Sequence, residues 1–144
     1  MSESLQYNNG QCEIRRTSYQ FPRGIPAFEH VTRFSLVENP FFTPLVVLES
    51  ETVPPLRFAC APVACLMPDY HLELSEEESA LLGSCEPSRL LVFAILTFRE
   101  DAPPTANLLA PIVLNPASGA GLQSVQANLR YSHIHPLRET SLCS

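Results

Sequence analysis

The chain contains no lysine and no tryptophan, and only five of its 144 residues are glycine. Nine arginines therefore carry the whole strongly basic charge, against fifteen acidic residues, and the formal net charge is −6. That balance excludes sequence-independent nucleic-acid binding, which draws its affinity from lysine and arginine set against phosphates. Charged residues of both signs make up only 17% of the chain and hydrophobic residues 45%, enough apolar material for a core and too little charge for disorder. Long apolar runs are missing as well. The longest, Leu90 to Phe98, falls far short of the about 20 residues that a membrane-spanning helix needs. Met1 to Gln20 is polar and lacks the apolar stretch of a signal peptide. The five cysteines, at 12, 60, 65, 85 and 143, are odd in number and form no C-x-x-C pair, so reduced thiols in a cytoplasmic protein are expected.

Proline, by contrast, is abundant: 14 residues spread from Pro22 to Pro136. Each proline inside a helix costs about 3 kcal/mol, which excludes a helical bundle and turns attention to short strands. Cys12 to Phe21 half-alternates and stops at the rigid turn Phe21-Pro22-Arg23-Gly24-Ile25-Pro26. Val31 to Val37, Leu45 to Leu48, Leu56 to Cys60 and Tyr70 to Leu74 read as further strands, separated by Asn39-Pro40 and Pro54-Pro55. Ser75-Glu76-Glu77-Glu78 has the form of a capping box, and Gly83 is placed to end a short helix. Arg89 to Arg99 predicts a central strand. Thr105 to Asn115 predicts another, with a bulge or barrel corner at Pro111. Leu122 to Leu129 and Tyr131 to Leu137 complete the set. The expected fold is all-β: a single-domain antiparallel β-barrel or closed sandwich of short strands over residues 11–138, with one short helix and flexible tails at 1–10 and 139–144.

Catalytic patterns are poorly represented. His133-Ile134-His135 would set two imidazoles on one strand face, but no third metal ligand stands at a suitable spacing. A small ligand-binding barrel or metal-dependent enzyme using His133 and His135 is the competing reading. Ala117-Ser118-Gly119-Ala120-Gly121 lacks the first glycine of a nucleophile elbow, and Gly119 to Ser124 lacks the third glycine of a dinucleotide loop. Glu76, Glu77 and Glu78 read as a solvated helix start rather than as acid and base catalysts. No cofactor is implied.

The turns carry a more specific signal. Phe21-Pro-Arg-Gly-Ile-Pro-Ala-Phe-Glu29 resembles the F-x-x-G-[LI]-P-G-F-E opening of the flagellar assembly factor FliW family. Pro40-Phe41 with Leu48-Glu49-Ser50 is similar to that family's P-F-x-x-L-Q-S segment, and Pro68-Asp69-Tyr70 to its P-x-Y. Thr105 to Asn115 resembles its T-x-N-L-x-A-P-I-[VI]-[IL]-N block, and Gly121-x-Gln123, Tyr131 and His135-Pro136-Leu137 follow in order. Ala27 stands where the family usually has glycine, so this turn is expected to avoid positive φ at that position. Glu49 replaces a glutamine, and Leu109 stands where lysine is common.

The resemblance implies a cytoplasmic, non-enzymatic protein with two alternating partners, flagellin and the RNA-binding translational repressor CsrA. Flagellin binding would be chaperone-like, and CsrA binding would relieve repression of flagellin synthesis, without contact to nucleic acid or membrane. An acidic chain suits a basic RNA-binding partner. On charge and loop position, Glu29, Glu38, Glu49, Glu51 and Asp69 form the expected acidic face, with Phe28, Phe41 and Tyr70 beside it. Phe21, Pro22, Gly24, Pro26, Asn107, Pro111 and Asn115 are assigned to turn and corner geometry.

Overall fold

Alternating segments need ladder partners for their backbone groups, and in the computed structural model, which describes residues 5–6, 13–83 and 86–137, they find them in one continuous sheet. The strands are β1 (Leu5–Gln6), β2 (Glu13–Gln20), β3 (Arg33–Glu38), β4 (Val46–Ser50), β5 (Arg57–Pro62), β6 (Leu91–Thr97), β7 (Thr105–Asn115), β8 (Ala120–Gln123) and β9 (His135–Pro136). β2 to β8 follow one another around the sheet in antiparallel pairs, and a parallel contact between Gln20 and Ala120 joins β2 to β8. The result is the closed barrel of seven strands, β2 to β8, with β1 and β9 added at edges. Among the described residues two α-helices decorate it, the single turn α1 (Val63–Leu66) and α2 (Glu76–Leu82). The flexible-tail expectation lies outside the described residues, apart from Leu5–Gln6, which pair with Ile14 and Glu13.

Period-two burial divides the apolar side chains into an interior and an outer layer. Inside the barrel, Phe21, Phe34, Leu36, Leu48, Ile112 and Leu114 are almost wholly enclosed, with Phe21 and Phe34 rings 4.9 Å apart. Outside β5 to β8, residues 63–82 and the loop around Tyr131 lay a second apolar layer over Ala94, Leu108, Val113 and Leu122. β2, β3 and β4 have no such cover among the described residues.

The capping box forms as expected: Ser75 Oγ accepts from the Glu78 amide and Glu78 Oε1 from the Ser75 amide, both at 3.1 Å, and Gly83 (φ 83°) ends α2. At Pro111 the β6–β7 register breaks, passing from Phe93↔Ile112 to Ile95↔Asn107. Asn107 Oδ1 takes the Leu109 and Ala110 amides across the break, so the expected bulge is there. Asn115, buried, donates to the Leu82 and Gly83 carbonyls and accepts from the Ala117 amide, tying the end of β7 to the end of α2.

Several expectations are corrected. Tyr70–Leu74 joins no ladder; Tyr131 Oη takes the His71 amide and Gln126 Oε1 the Glu73 amide, so side chains satisfy those two backbone groups. β8 ends at Gln123, although the Ser124 and Gln126 amides still reach Pro111 and Leu109 carbonyls along β7. In Tyr131–Leu137 only His135–Pro136 pairs, because Ser132 Oγ holds the Ile134 amide in a turn. The closing contact between β2 and β8 is parallel, and every other barrel pair is antiparallel, as expected.

Ala27 is the sharpest correction. Its φ is +76°, in the left-handed region that the sequence reading had it avoid. Its amide donates to Glu29 Oε2 at 3.1 Å, and Phe28 and Ile25 bridge across the turn, so tertiary contacts override the local preference. A left-handed alanine costs about 1–2 kcal/mol. Ala27→Gly is therefore expected to stabilise the protein by about 1 kcal/mol in urea unfolding, since the glycine takes this φ without strain.

Candidate interaction surface

The uncovered wall of β2, β3, β4 and the start of β5 presents Arg16, Ser18, Ser35, Val37, Val47, Glu49 and Arg57 outward. Glu49 is its centre. Arg16 Nη1 lies 2.8 Å from Glu49 Oε1 and Arg57 Nη2 3.1 Å from Oε2, leaving the carboxylate side chain only 14% exposed. Arg16 holds the Glu49 carboxyl below the ordinary glutamate range, chiefly by its hydrogen bond and against an opposing effect of burial, with Arg57 adding to the depression. Glu51 Oε2 accepts from Ser18 Oγ and Ser35 Oγ. The wall is thus a ladder of matched charges more than an acidic face.

Because the Glu49 pKa is lowered on folding, its contribution is present above the unfolded glutamate pKa of about 4.3 and is lost as the pH falls through the folded value. Glu49→Gln is expected to cost about 1 kcal/mol at neutral pH, the arginines being partly exposed. The difference from the parent chain should vanish in acid, which urea titrations from pH 7 to pH 3 would reveal.

The other sequence-predicted residues fall on separate surfaces. Glu38 ends β3, 3.9 Å from Arg15, and borders a concavity of about 310 Å³ with Arg15, Pro44, Leu45 and Val46. Phe41 shares the Pro40–Phe42 turn, capped by Asn39 Oδ1 on its amide, and is 78% exposed; Phe42, which the sequence reading passed over, is 63% exposed. Phe28 is half-buried, edge-on to Phe58. Glu29 lies at the Gly24 turn, where it lines a second concavity with Arg23, Glu78 and Gln123. Glu78 there accepts from Ser124 Oγ and Arg23 as well as capping its helix. Asp69 pairs with Arg130 at 3.2 Å, on the covered side of the barrel. Tyr70 stacks on Tyr131 (centroids 4.2 Å) and donates to the Leu108 carbonyl, and burial together with Tyr131 raises its pKa. The five acidic residues therefore do not converge: Glu38, Glu49 and Glu51 share the β3–β4 hairpin, while Glu29 and Asp69 lie elsewhere.

His133 sits in a turn and only His135 in a strand, so the two imidazoles do not share a strand face. Among the described residues no group of three histidine, cysteine or carboxylate side chains is placed to hold a metal. Cys60 is free and buried, and burial pushes its thiol up to about 12, which makes it a poor nucleophile. No helix among the described residues is long and apolar enough to cross a membrane.

The geometry is that of a small closed β-barrel with, among the described residues, one wall covered by its own chain and one left bare, its signature turns used as corners. Known proteins place it more narrowly. The family model described as "FliW protein" matches residues 5–137. The flagellar assembly factor FliW of Syntrophomonas wolfei is 36% identical over 81% of this chain and 76% of its own length. That of Thermosipho africanus is 33% identical over 95% and 98%. A crystal structure of the flagellar assembly factor FliW superposes with a TM-score of 0.76 at 29% identity, covering 83% of this chain and 84% of that one. The chain belongs to the FliW family of flagellar assembly factors.

Proposed function

We propose that this protein acts in the cytoplasm as a flagellin-binding, chaperone-like assembly factor that alternately binds CsrA and antagonises it, relieving repression of flagellin synthesis. Membership of the FliW family supports the reading, and the bare β2–β4 wall is the observation that carries it into this molecule. That wall offers fixed charges and half-buried valines on a rigid scaffold, a surface suited to another protein. Its acidic contacts are assigned to Glu38, Glu49 and Glu51, with Phe41 as an apolar anchor on the same hairpin. Phe28, Glu29, Asp69 and Tyr70 serve the fold first in this reading, through the Gly24 turn and the Tyr131 stack.

Co-purification tests the proposal. Tagged protein should retain flagellin or CsrA, and added flagellin should displace CsrA. Retention of neither, with both coexpressed, overturns the reading. Reversal at Glu38 and Glu51 should weaken CsrA binding and its salt dependence, while reversal at Asp69 should leave both unchanged.

A further inference from the structure

Two signature segments far apart in the chain meet at one concavity. Pro26 and Glu29, from the turn that follows β2, and Gln123 and Val125, at the end of β8 and beyond it, line a space of about 380 Å³. Its two carboxylates differ in what they already hold. Glu78 is satisfied: Oε1 accepts from the Ser75 amide and from Ser124 Oγ, and Oε2 lies 3.4 Å from Arg23 Nη2. That ion pair matches one charge with another and leaves Glu29 as the uncompensated group of the concavity. Glu29 Oε2 accepts from the Ala27 amide at 3.1 Å, which fixes the carboxylate, while Oε1 has no partner among the described residues. Gln123 is in the same condition. Its Nε2 donates to the Ala110 carbonyl at 2.9 Å, and because a carbonyl only accepts, the side-chain amide is oriented and its Oε1 is left over as an acceptor. Val125 is 66% exposed, and with the Pro26 ring it supplies apolar surface to the same space.

We infer that this concavity receives an arginine side chain from a partner protein. Oriented acceptors with one uncompensated negative charge call for a cation that carries several donors. A guanidinium presents its N–H groups as a planar fork and can meet a carboxylate and an amide oxygen together, whereas an ammonium is a compact point charge. The apolar surface of Pro26 and Val125 suits the methylene stem of such a side chain. The volume stands near the low end of ligand sites, roughly 300–1,000 Å³, which fits one long side chain with its backbone and is small for a cofactor. A net charge of −6 draws basic partners towards the whole molecule. The ends of the described segments lie away from the site. Leu5 is opposite Ile14, at the far end of β2 from Gln20; Leu137 donates to the Pro104 carbonyl ahead of β7; and Gly83 stands at the opposite end of α2 from Glu78. The site is separate from the contacts assigned to Glu38, Glu49 and Glu51, and the inference holds whichever basic partner supplies the arginine.

The test titrates a blocked peptide, Gly-Ala-Arg-Ala-Gly, and its lysine and citrulline counterparts into the full chain, with amide resonances as the readout. Saturable shifts centred on Gly24, Glu29, Gln123 and Val125 are expected with the arginine peptide. The lysine and citrulline peptides should each bind about tenfold more weakly, the first for want of the planar fork and the second for want of charge. Glu29→Gln keeps an acceptor for the Ala27 amide and removes the charge, so it should weaken the arginine peptide about tenfold. Asp69→Asn removes a charge elsewhere and should change nothing. Val125→Arg, at an exposed position, should set a guanidinium over the same oxygens and block the peptide. No saturable binding, shifts mapping elsewhere, equal affinity for the lysine or citrulline peptide, or a folded Glu29→Gln or Val125→Arg variant that binds as before would overturn the proposal. So would an Asp69→Asn loss as large as that of Glu29→Gln, which would reduce the effect to overall charge. Val125 resonances that move with protein concentration in the free chain would also overturn it, since a second copy would then fill the site.

Discussion

Phe21→Ala is expected to cost about 3–5 kcal/mol, the range for emptying a fully buried aromatic site. The ring is 0% exposed and lies against Phe34. It also fills the space left by a missing side chain, because a Cβ on Gly121 would lie 2.6 Å from Phe21 Cε1 and 2.7 Å from Leu114 Cδ2. Removing the ring leaves a cavity that β8 cannot close without leaving β7. Chemical denaturation should show a lower midpoint with an unchanged slope. Gly121→Ala should also destabilise alone, by about 1–3 kcal/mol, and by less in the Phe21→Ala background, because the two sites share one volume. Additive effects would show that the sheet moves to accommodate either change.

Gly24→Ala is expected to cost about 2–5 kcal/mol, from left-handed strain and overpacking together. Gly24 has φ +64°, and an added Cβ would lie 2.6 Å from both Glu29 Cα and Glu29 O. These are backbone atoms, and no rotamer change relieves the contact. The comparison with Ala27, three residues on, separates the two causes. Both positions have positive φ, but only Gly24 is pressed against backbone. Ala27→Gly should raise stability and Gly24→Ala lower it by more than the strain alone, a contrast readable in paired urea curves.

Where local chemistry fixes the outcome, the structure was legible in the sequence. The Ser75 cap and Gly83 stop bracket α2, and Thr105–Asn115 runs between turn residues to the ends expected of it. Tyr70–Leu74 misleads because alternation reports which side packs against the core, as the half-buried Leu72 and Leu74 do, and says nothing of where the amides go. Ala27 misleads because its conformation is imposed by Glu29 and by the Ile25–Phe28 bridge. At the candidate surface the carboxylates were visible and their neutralisation was not. Glu49 meets Arg16 from 33 positions away, and only sheet register brings the two together.

The join between Gln20 and Ala120 also has a mechanical side. Among the described residues, every other neighbouring pair around the hoop is held by three or more residue pairs, and this one by a single pair with the Gln20 amide on Gly119. The barrel is therefore a belt with one weak buckle. Releasing it parts β2 from β8 while the other six interfaces stay zipped, so the lowest-energy opening of the wall runs along β2 and leaves β6 and β7 untouched.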